Sequence, residues 1–499
     1  MSHSKTSIYA LLLAGIVLCG CSQREVLEND EPNRPATPEA ANVVFHLQAN
    51  TSSVTRSVED SYNHVQGTAD EYKVNNARVY FFDAPTKLFA KSILLTNLTR
   101  SGTDANGNII YEAERVSVPQ GTYDIFVTAN TDRQINSNTE EEFLADIDSL
   151  SYVQAHIEDI TKGIAMTNRA SDNCGVFIEN NQENNDNVVN VMLERVLARI
   201  DIAKKSEAFQ LTDDSGKLYA TVTLDGHYIV NLPKYYYTFR HTAVLTSLTE
   251  PDWNIGEHFG SVRDVNGYVV DPDFFKKTID ASRFANADKY YENFYGDYSN
   301  SNAVAWTSFK PVNSDAPLYN TTYCLENCSL APAQKNGYST GVIFRAKLEP
   351  YNNVYHLATD GSMKLVTDKT KYPEVLYYYN YNFYDSAEAL AAAIGVNAVS
   401  SANMDIYQAR KYEKSDDGYR CYYTYWIRHL DNNKATSMGV MEFGIVRNNL
   451  YRLLITNVSG LGYHKLIVDP DTPDEGETYL KVVLNVKPWI VRDLTNIVL

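Results

Sequence analysis

At 499 residues and 44% hydrophobic content the chain has the length and apolar content for two or three packed domains. A formal net charge of −18 argues against nucleic acid as a partner and against adhesion to anionic lipid by charge alone. Tyrosine is over-used, 37 residues against 4 tryptophans, which suits half-buried strand faces because the ring packs while the hydroxyl stays wet.

In chain order, Lys5, the apolar run Ile8 to Leu18 and Gly20-Cys21 read as a signal peptide too short to span a bilayer, with a lipobox whose Cys21 would be lipidated after cleavage. Residues 21 to 42, acidic and punctuated by prolines, read as a flexible tether. Val43, Phe45, Leu47 and Ala49 then alternate with polar residues, the period of a first strand with one buried face. Behind it Arg56-Ser57 lies in a polar stretch without strand period, where a trypsin-like protease would cut. Strands are predicted over Arg78 to Phe82, Ser92 to Leu95, Ile109 to Val118, Gly121 to Asn130 and, as one long strand, Val188 to Ile202. Thr139 and Glu142 form a capping box for a helix whose apolar stripe is Phe143, Leu144, Ile147 and Leu150. Residues 57–203 are read as one β-sandwich domain and 204–499 as a second, with strands over Leu218 to Leu224, Tyr235 to Phe239, Thr340 to Leu348 and Gly418 to Ile427. A short helix over Ala387 to Ile394 is capped by Ser386 and stopped by Gly395.

The last segment pairs a strand, Leu450 to Val458, with a final strand, Leu480 to Val491, across an acidic, proline-rich loop read as a stiff, solvated tether. Leu480, Val482, Leu484 and Val486 share one face of the final strand, followed by Pro488 and Trp489. Such a strand either completes its own sheet or is given to another molecule, because an unpaired strand exposes backbone donors, acceptors and its apolar face.

Nothing in the sequence points to catalysis. The ten histidines form no metal-binding pair, no nucleophile elbow, P-loop or dinucleotide motif is present, and among 62 acidic residues a facing carboxylate pair carries no information. No metal and no cofactor is expected: Cys324 and Cys328 lack a partner pair for zinc, and the loop from Asp469 to Glu477 lacks calcium spacing. Cys174, Cys324, Cys328 and Cys421 leave disulfides and free thiols both open. The tyrosine runs 235–237, 377–379 and 422–423 read as strand faces rather than sugar platforms.

The lipobox cysteine, Arg56 behind a first strand, Leu193-Glu194-Arg195-Val196-Leu197-Ala198-Arg199, Phe344-Arg345-Ala346-Lys347-Leu348, Val446-Arg447-Asn448-Asn449-Leu450-Tyr451, Gly460-Leu461-Gly462 and Val486-Lys487-Pro488-Trp489 together resemble the Mfa-type major fimbrial subunits, the type V pilins of gram-negative oral and gut anaerobes. The resemblance implies an all-β chain of two tandem transthyretin-like β-sandwiches with a few short helices. It further implies export as an outer-membrane lipoprotein, held by lipid before an arginine-specific surface protease cuts between Arg56 and Ser57 and removes residues 43–56. The groove left by Val43, Phe45, Leu47 and Ala49 would then accept Leu480, Val482, Leu484, Val486, Pro488 and Trp489 of an identical subunit, head-to-tail, into a fimbrial shaft. Anchor and tip fimbrial proteins and host or bacterial surface receptors are the further partners implied, in support of adhesion and biofilm formation. Two alternatives stay open: an anchor or tip subunit of the same fimbria, and a monomeric glycan-binding surface lipoprotein.

Overall fold

The computed structural model describes residues 40–49, 65–104, 108–180, 187–243, 268–274, 277, 289–297, 304–313, 315–415, 418–430, 438–439, 441–466, 469–474 and 480–490. Cys21, Arg56 and Ser57 lie outside them.

Alternation of apolar and polar residues produces the expected all-β architecture. The first sheet runs in the order Phe89–Leu95, Ala77–Asp83, Gly121–Ala129, Met166–Asn168, Asn187–Arg195, Ala40–Ala49, Ile109–Ala113, Leu98–Thr103. Its inner residues close on one core that includes Val43, Phe45, Leu47, Ala49, Val79, Phe81, Ile125, Val127, Val191 and Leu193. A second core, around Tyr80, Phe82, Phe126, Phe143 and Phe239, covers the opposite face.

The second sandwich packs two sheets on each other. One is ordered Val65–Gln66, Leu480–Ile490, Asn449–Val458, Ala198–Lys204, Asn320–Cys324; the other begins Phe209–Thr212, Leu218–Val230, Gly341–Pro350, Gly418–Trp426, Arg410–Ser415. Ile200, Ile202, Tyr451, Leu453 and Ile455 from the first meet Val222, Leu224, Phe344, Ala346, Tyr412 and Tyr423 from the second in a single core. The tyrosine runs are strand residues: Tyr235–Tyr237 pairs with Ile147–Ser149, and Val375–Tyr379 and Gly418–Trp426 belong to the larger sheet.

Four local expectations change. The strand read over 109–118 is two, Ile109–Ala113 and Val116–Pro119, which pair with different halves of the first strand. The strand read over 188–202 is two strands, because at Val196 and Leu197 the chain leaves one sheet for the other; the Val196 N–H donates to Ala165 O (3.0 Å) and Leu197 O accepts from Asn448 N–H (2.8 Å). The helix read through Leu150 is one short helix, Glu140–Leu144, capped as expected by the Thr139 side chain. It stops because Asp146 is taken by Arg133 and by the Thr238 hydroxyl, and Ile147–Ser149 is drawn into a strand pair. The acidic loop is no free tether over its first part: Thr472 O accepts from Asn336 N–H (3.0 Å), Pro470 O from Gly337 N–H (2.8 Å), and Asp474 is buried beside the Ser339 hydroxyl. Burial pushes the Asp474 carboxyl well above the usual carboxylate range. The helix Ala387–Ile394 has the expected Ser386 cap and ends at Gly395, whose φ of 83° is the left-handed region. The four cysteines are free thiols; Cys324, Cys328 and Cys421 are buried, and burial raises Cys324 and Cys421 to about 12.

His227, His241 and His429 are buried, and burial holds each down to about 4. With the folded value below the unfolded one, the folded state binds fewer protons, so their contribution to stability is present above about pH 6.5 and is lost as pH falls toward 4. Each histidine contributes a loss of about 3 kcal/mol across that window. Urea midpoints measured from pH 7 to 4 should therefore drop steeply below pH 6.5; a flat profile would contradict the neutral burial of these rings.

Candidate functional site

The first strand, Ala40–Ala49, is central in its sheet. On one side it runs parallel to Asn187–Arg195, with Val43 opposite Asn187 and Ala49 opposite Leu193. On the other side its two halves pair antiparallel with different strands, residues 40–43 with Val116–Pro119 and residues 46–49 with Ile109–Ala113. Val43, Phe45, Leu47 and Ala49 are fully buried, and Phe45 meets Phe81 edge-on with ring centroids 6.0 Å apart. On the outer face His46 lies 3.6 Å from Glu112. This strand thus fills a slot whose walls are Asn187–Arg195 on one edge and residues 109–119 on the other.

The final strand, Leu480–Ile490, lies in its own chain's smaller sheet, antiparallel to Asn449–Val458. Leu480 is in the core of the second sandwich and Val482 is half-buried against it. Along the backbone Leu484 is opposite Leu453, Val486 opposite Tyr451 and Pro488 opposite Asn449. The strand's other edge pairs, among the described residues, only at Trp489 and Ile490, which run parallel to Val65–Gln66.

Between the slot and the final strand lies a buried polar joint that gathers two of the sequence motifs, 193–199 and 446–451. The Arg195 guanidinium donates to Glu71 O (2.7 Å) and to Asn448 Oδ1 (3.1 Å), and burial pulls it down to about 10. Glu71 receives Arg199 at 2.8 and 3.0 Å and the Tyr323 hydroxyl at 2.6 Å. Arg199 and Arg452 both reach Asp201. Glu194 is fully enclosed; burial pushes its carboxyl up, but Arg240, Arg169 and Arg447 outweigh this and hold it below the ordinary range. Arg447 forms a two-pronged pair with Glu326 (2.7 and 2.5 Å) and donates to the carbonyls of Tyr237 and Thr238. Burial lowers the Arg447 guanidinium, and the Glu326 carboxylate more than restores it.

Glu71 escaped the sequence reading because residues 57–73 carry no strand period. The signal was present as a capping box, Thr68 to Glu71: the short 3-10 helix Ala69–Tyr72 begins with the Thr68 N–H donating to Glu71 Oε2 at 2.6 Å.

No curated protein matches the chain by sequence. The family model of the major fimbrial subunit protein (FimA) matches residues 41–199, and that of the major fimbrial subunit protein type IV, fimbrillin, C-terminal, matches residues 411–495. Among solved structures the chain is similar to a fimbrilin (fimA) from Porphyromonas gingivalis W83, at 15% identity and a TM-score of 0.43, covering 91% of this chain and 98% of that one. It is also similar to the tip fimbrial protein Mfa3 from Porphyromonas gingivalis (12%, 0.35; 90% and 100% covered) and the fimbrial anchor protein Mfa2 from the same organism (10%, 0.26; 91% and 99% covered). The two matched segments hold the slot-filling strand with the 193–199 corner and the strand pair that ends the second sandwich, so over these two segments the chain matches the family models of major fimbrial subunit proteins.

Proposed function

We propose that this chain is a fimbrillin and a shaft subunit that polymerises by strand exchange. The family is one of structural fimbrial subunits, not of enzymes. In the proposed sequence of events the chain is exported as a lipoprotein through Cys21, an arginine-specific protease cuts between Arg56 and Ser57, and residues 43–56 leave. The slot is refilled by Leu480, Val482, Leu484, Val486, Pro488 and Trp489 of the next subunit. Anchor and tip proteins would bound the filament, and receptors on host or bacterial surfaces would be its targets.

One observation supports this reading above the others: a centrally paired strand whose inner face is fully buried is followed a few residues later in the sequence by Arg56, where one cut would release it from the rest of the chain. The driving force follows from the pairing. The slot offers a donated strand ladders on both edges, parallel to Asn187–Arg195 and antiparallel to residues 109–119. Burying the slot's apolar face adds about 1.5–3 kcal/mol for each large side chain inserted. Head-to-tail donation does not close on itself and therefore propagates as a filament.

A second reading has its own support. The final strand completes its own sheet with Leu480 in the core, as a monomeric glycan-binding lipoprotein would require. The amino-terminal sequence and mass of protein sheared from cells separates the two. A start at Ser57 without lipid is the expected result; a lipidated start at Cys21 on all of the protein would sink the shaft reading.

A further inference from the structure

Away from the slot and the final strand, three reactive side chains meet in a water-excluding pocket. Lys277 is 3% exposed, Asp271 4% and Asn327 1%. Val269, Val270, Phe274, Leu330, Met441 and Val446 form the apolar surround. The Lys277 Nζ donates to Asp271 Oδ2, to Asn327 Oδ1 and to Cys328 O, each at 2.7 Å. The Asn327 Nδ2 is engaged by Tyr338 O (2.7 Å), Thr340 Oγ1 (2.9 Å) and Asn231 O (3.4 Å), which fixes the amide with its carbonyl toward the lysine. Asp271 is held in turn by the N–H groups of Cys328 (2.6 Å) and Asp273 (2.7 Å).

An ion pair needs a lysine and an aspartate; it does not need a side-chain amide locked on three acceptors with its carbonyl against the ammonium. The 2.7 Å contact and a C=O bond of about 1.23 Å place the amide carbon within about 3.9 Å of Nζ, close to the 3–3.5 Å of a near-attack arrangement. We propose that Lys277 and Asn327 condense to an isopeptide bond, with Asp271 carrying the proton. The ammonium passes one proton to Asp271, and the neutral amine attacks Cγ of Asn327. The Nζ–Cγ bond forms and the Cγ–Nδ2 bond breaks. Of the two protons Nζ gives up, one completes the departing ammonia; the other, held by Asp271, leaves with it as ammonium. No oxidant or cofactor takes part. The bond spans 50 residues and ties the Asp271 segment to Asn327, whose backbone is bonded in both directions to Ile445 (2.8 Å each), directly before the Arg447 joint. In a filament it would brace the sandwich beside the strand that bears load; that consequence rests on the shaft reading, whereas the bond itself does not.

Peptide mapping of the full-length protein by mass spectrometry tests this. The expected result is a branched peptide joining Lys277 to Asn327, about 17 Da lighter than its two arms together, the mass of one ammonia. Lys277→Arg keeps the charge and the pairing, and it should give a folded chain with two linear peptides. Asp271→Asn should do the same if it folds. Linear, unmodified Lys277 and Asn327 peptides from the wild-type chain would overturn the proposal, and an undiminished branched peptide in D271N would overturn the part given to Asp271.

Discussion

Phe45→Ala is expected to destabilise the uncleaved precursor by about 3–5 kcal/mol and to leave the mature protein unchanged. The residue is fully buried at the middle of a central strand, its ring packed edge-on against Phe81, so truncation opens a cavity that the flanking strands Asn187–Arg195 and Ile109–Ala113, each bonded to a further neighbour, cannot close. Under the shaft reading that cavity disappears once residues 43–56 depart. The difference is measurable as urea unfolding of precursor held uncut by Arg56→Ala, compared with protein starting at Ser57. A nicked but unexchanged subunit gives a sharper readout, because every 1.4 kcal/mol is tenfold in retention. The F45A segment should dissociate at least about a hundredfold more readily than the wild-type segment. A precursor indifferent to the substitution, or a wild-type nicked segment that never leaves, would remove the strand from the assembly mechanism.

The parts of this fold that the sequence announces are those governed by near neighbours. The alternation of Val43, Phe45, Leu47 and Ala49 reports a strand because one face is buried, and Ser386 with Gly395 brackets a helix because each satisfies backbone groups within a turn. What stays hidden depends on partners distant in the chain. The corner at Val196 and Leu197 is marked locally only by a shift of phase, the core-facing residues passing from Val189, Val191 and Leu193 to Ala198, Ile200 and Ile202; what holds it is Asn448, some 250 residues on. Asp146 ends a helix that its own sequence favours because Arg133 and Thr238 bind it more strongly than another helical turn would. The pairing of Lys277 with Asn327 and of Arg447 with Glu326 is equally illegible, although Arg447 lies inside a motif that carries the family resemblance. For the final strand the periodicity defines the face but not the partner. Its own sheet and a neighbour's slot ask for the same alternation.

Arg447→Ala should cost about 3–5 kcal/mol in precursor and mature protein alike, in contrast to Phe45→Ala. The guanidinium is 1% exposed, and its loss strands the Glu326 carboxylate, itself fully buried, together with the carbonyls of Tyr237 and Thr238. The cost measures the unpaired charge left behind more than the worth of the pair. Replacing both partners, Arg447→Met with Glu326→Leu, should therefore recover most of the stability. The same substitution tests whether the joint couples the two sandwiches. Tyr235–Tyr237 pairs with Ile147–Ser149, and neighbouring Asn448 holds Arg195, so the Arg447 cluster touches elements that pack on both cores. Loosening it should split a single cooperative unfolding transition into two, with the tyrosine-rich second sandwich and the first sheet melting apart. A loss under about 1 kcal/mol with one sharp transition retained would mean that the pair is dispensable and that the sandwiches are held together elsewhere. If the double apolar variant restores stability but not cooperativity, the charges serve to fix the angle between the sandwiches, which a head-to-tail filament needs to be the same in every subunit.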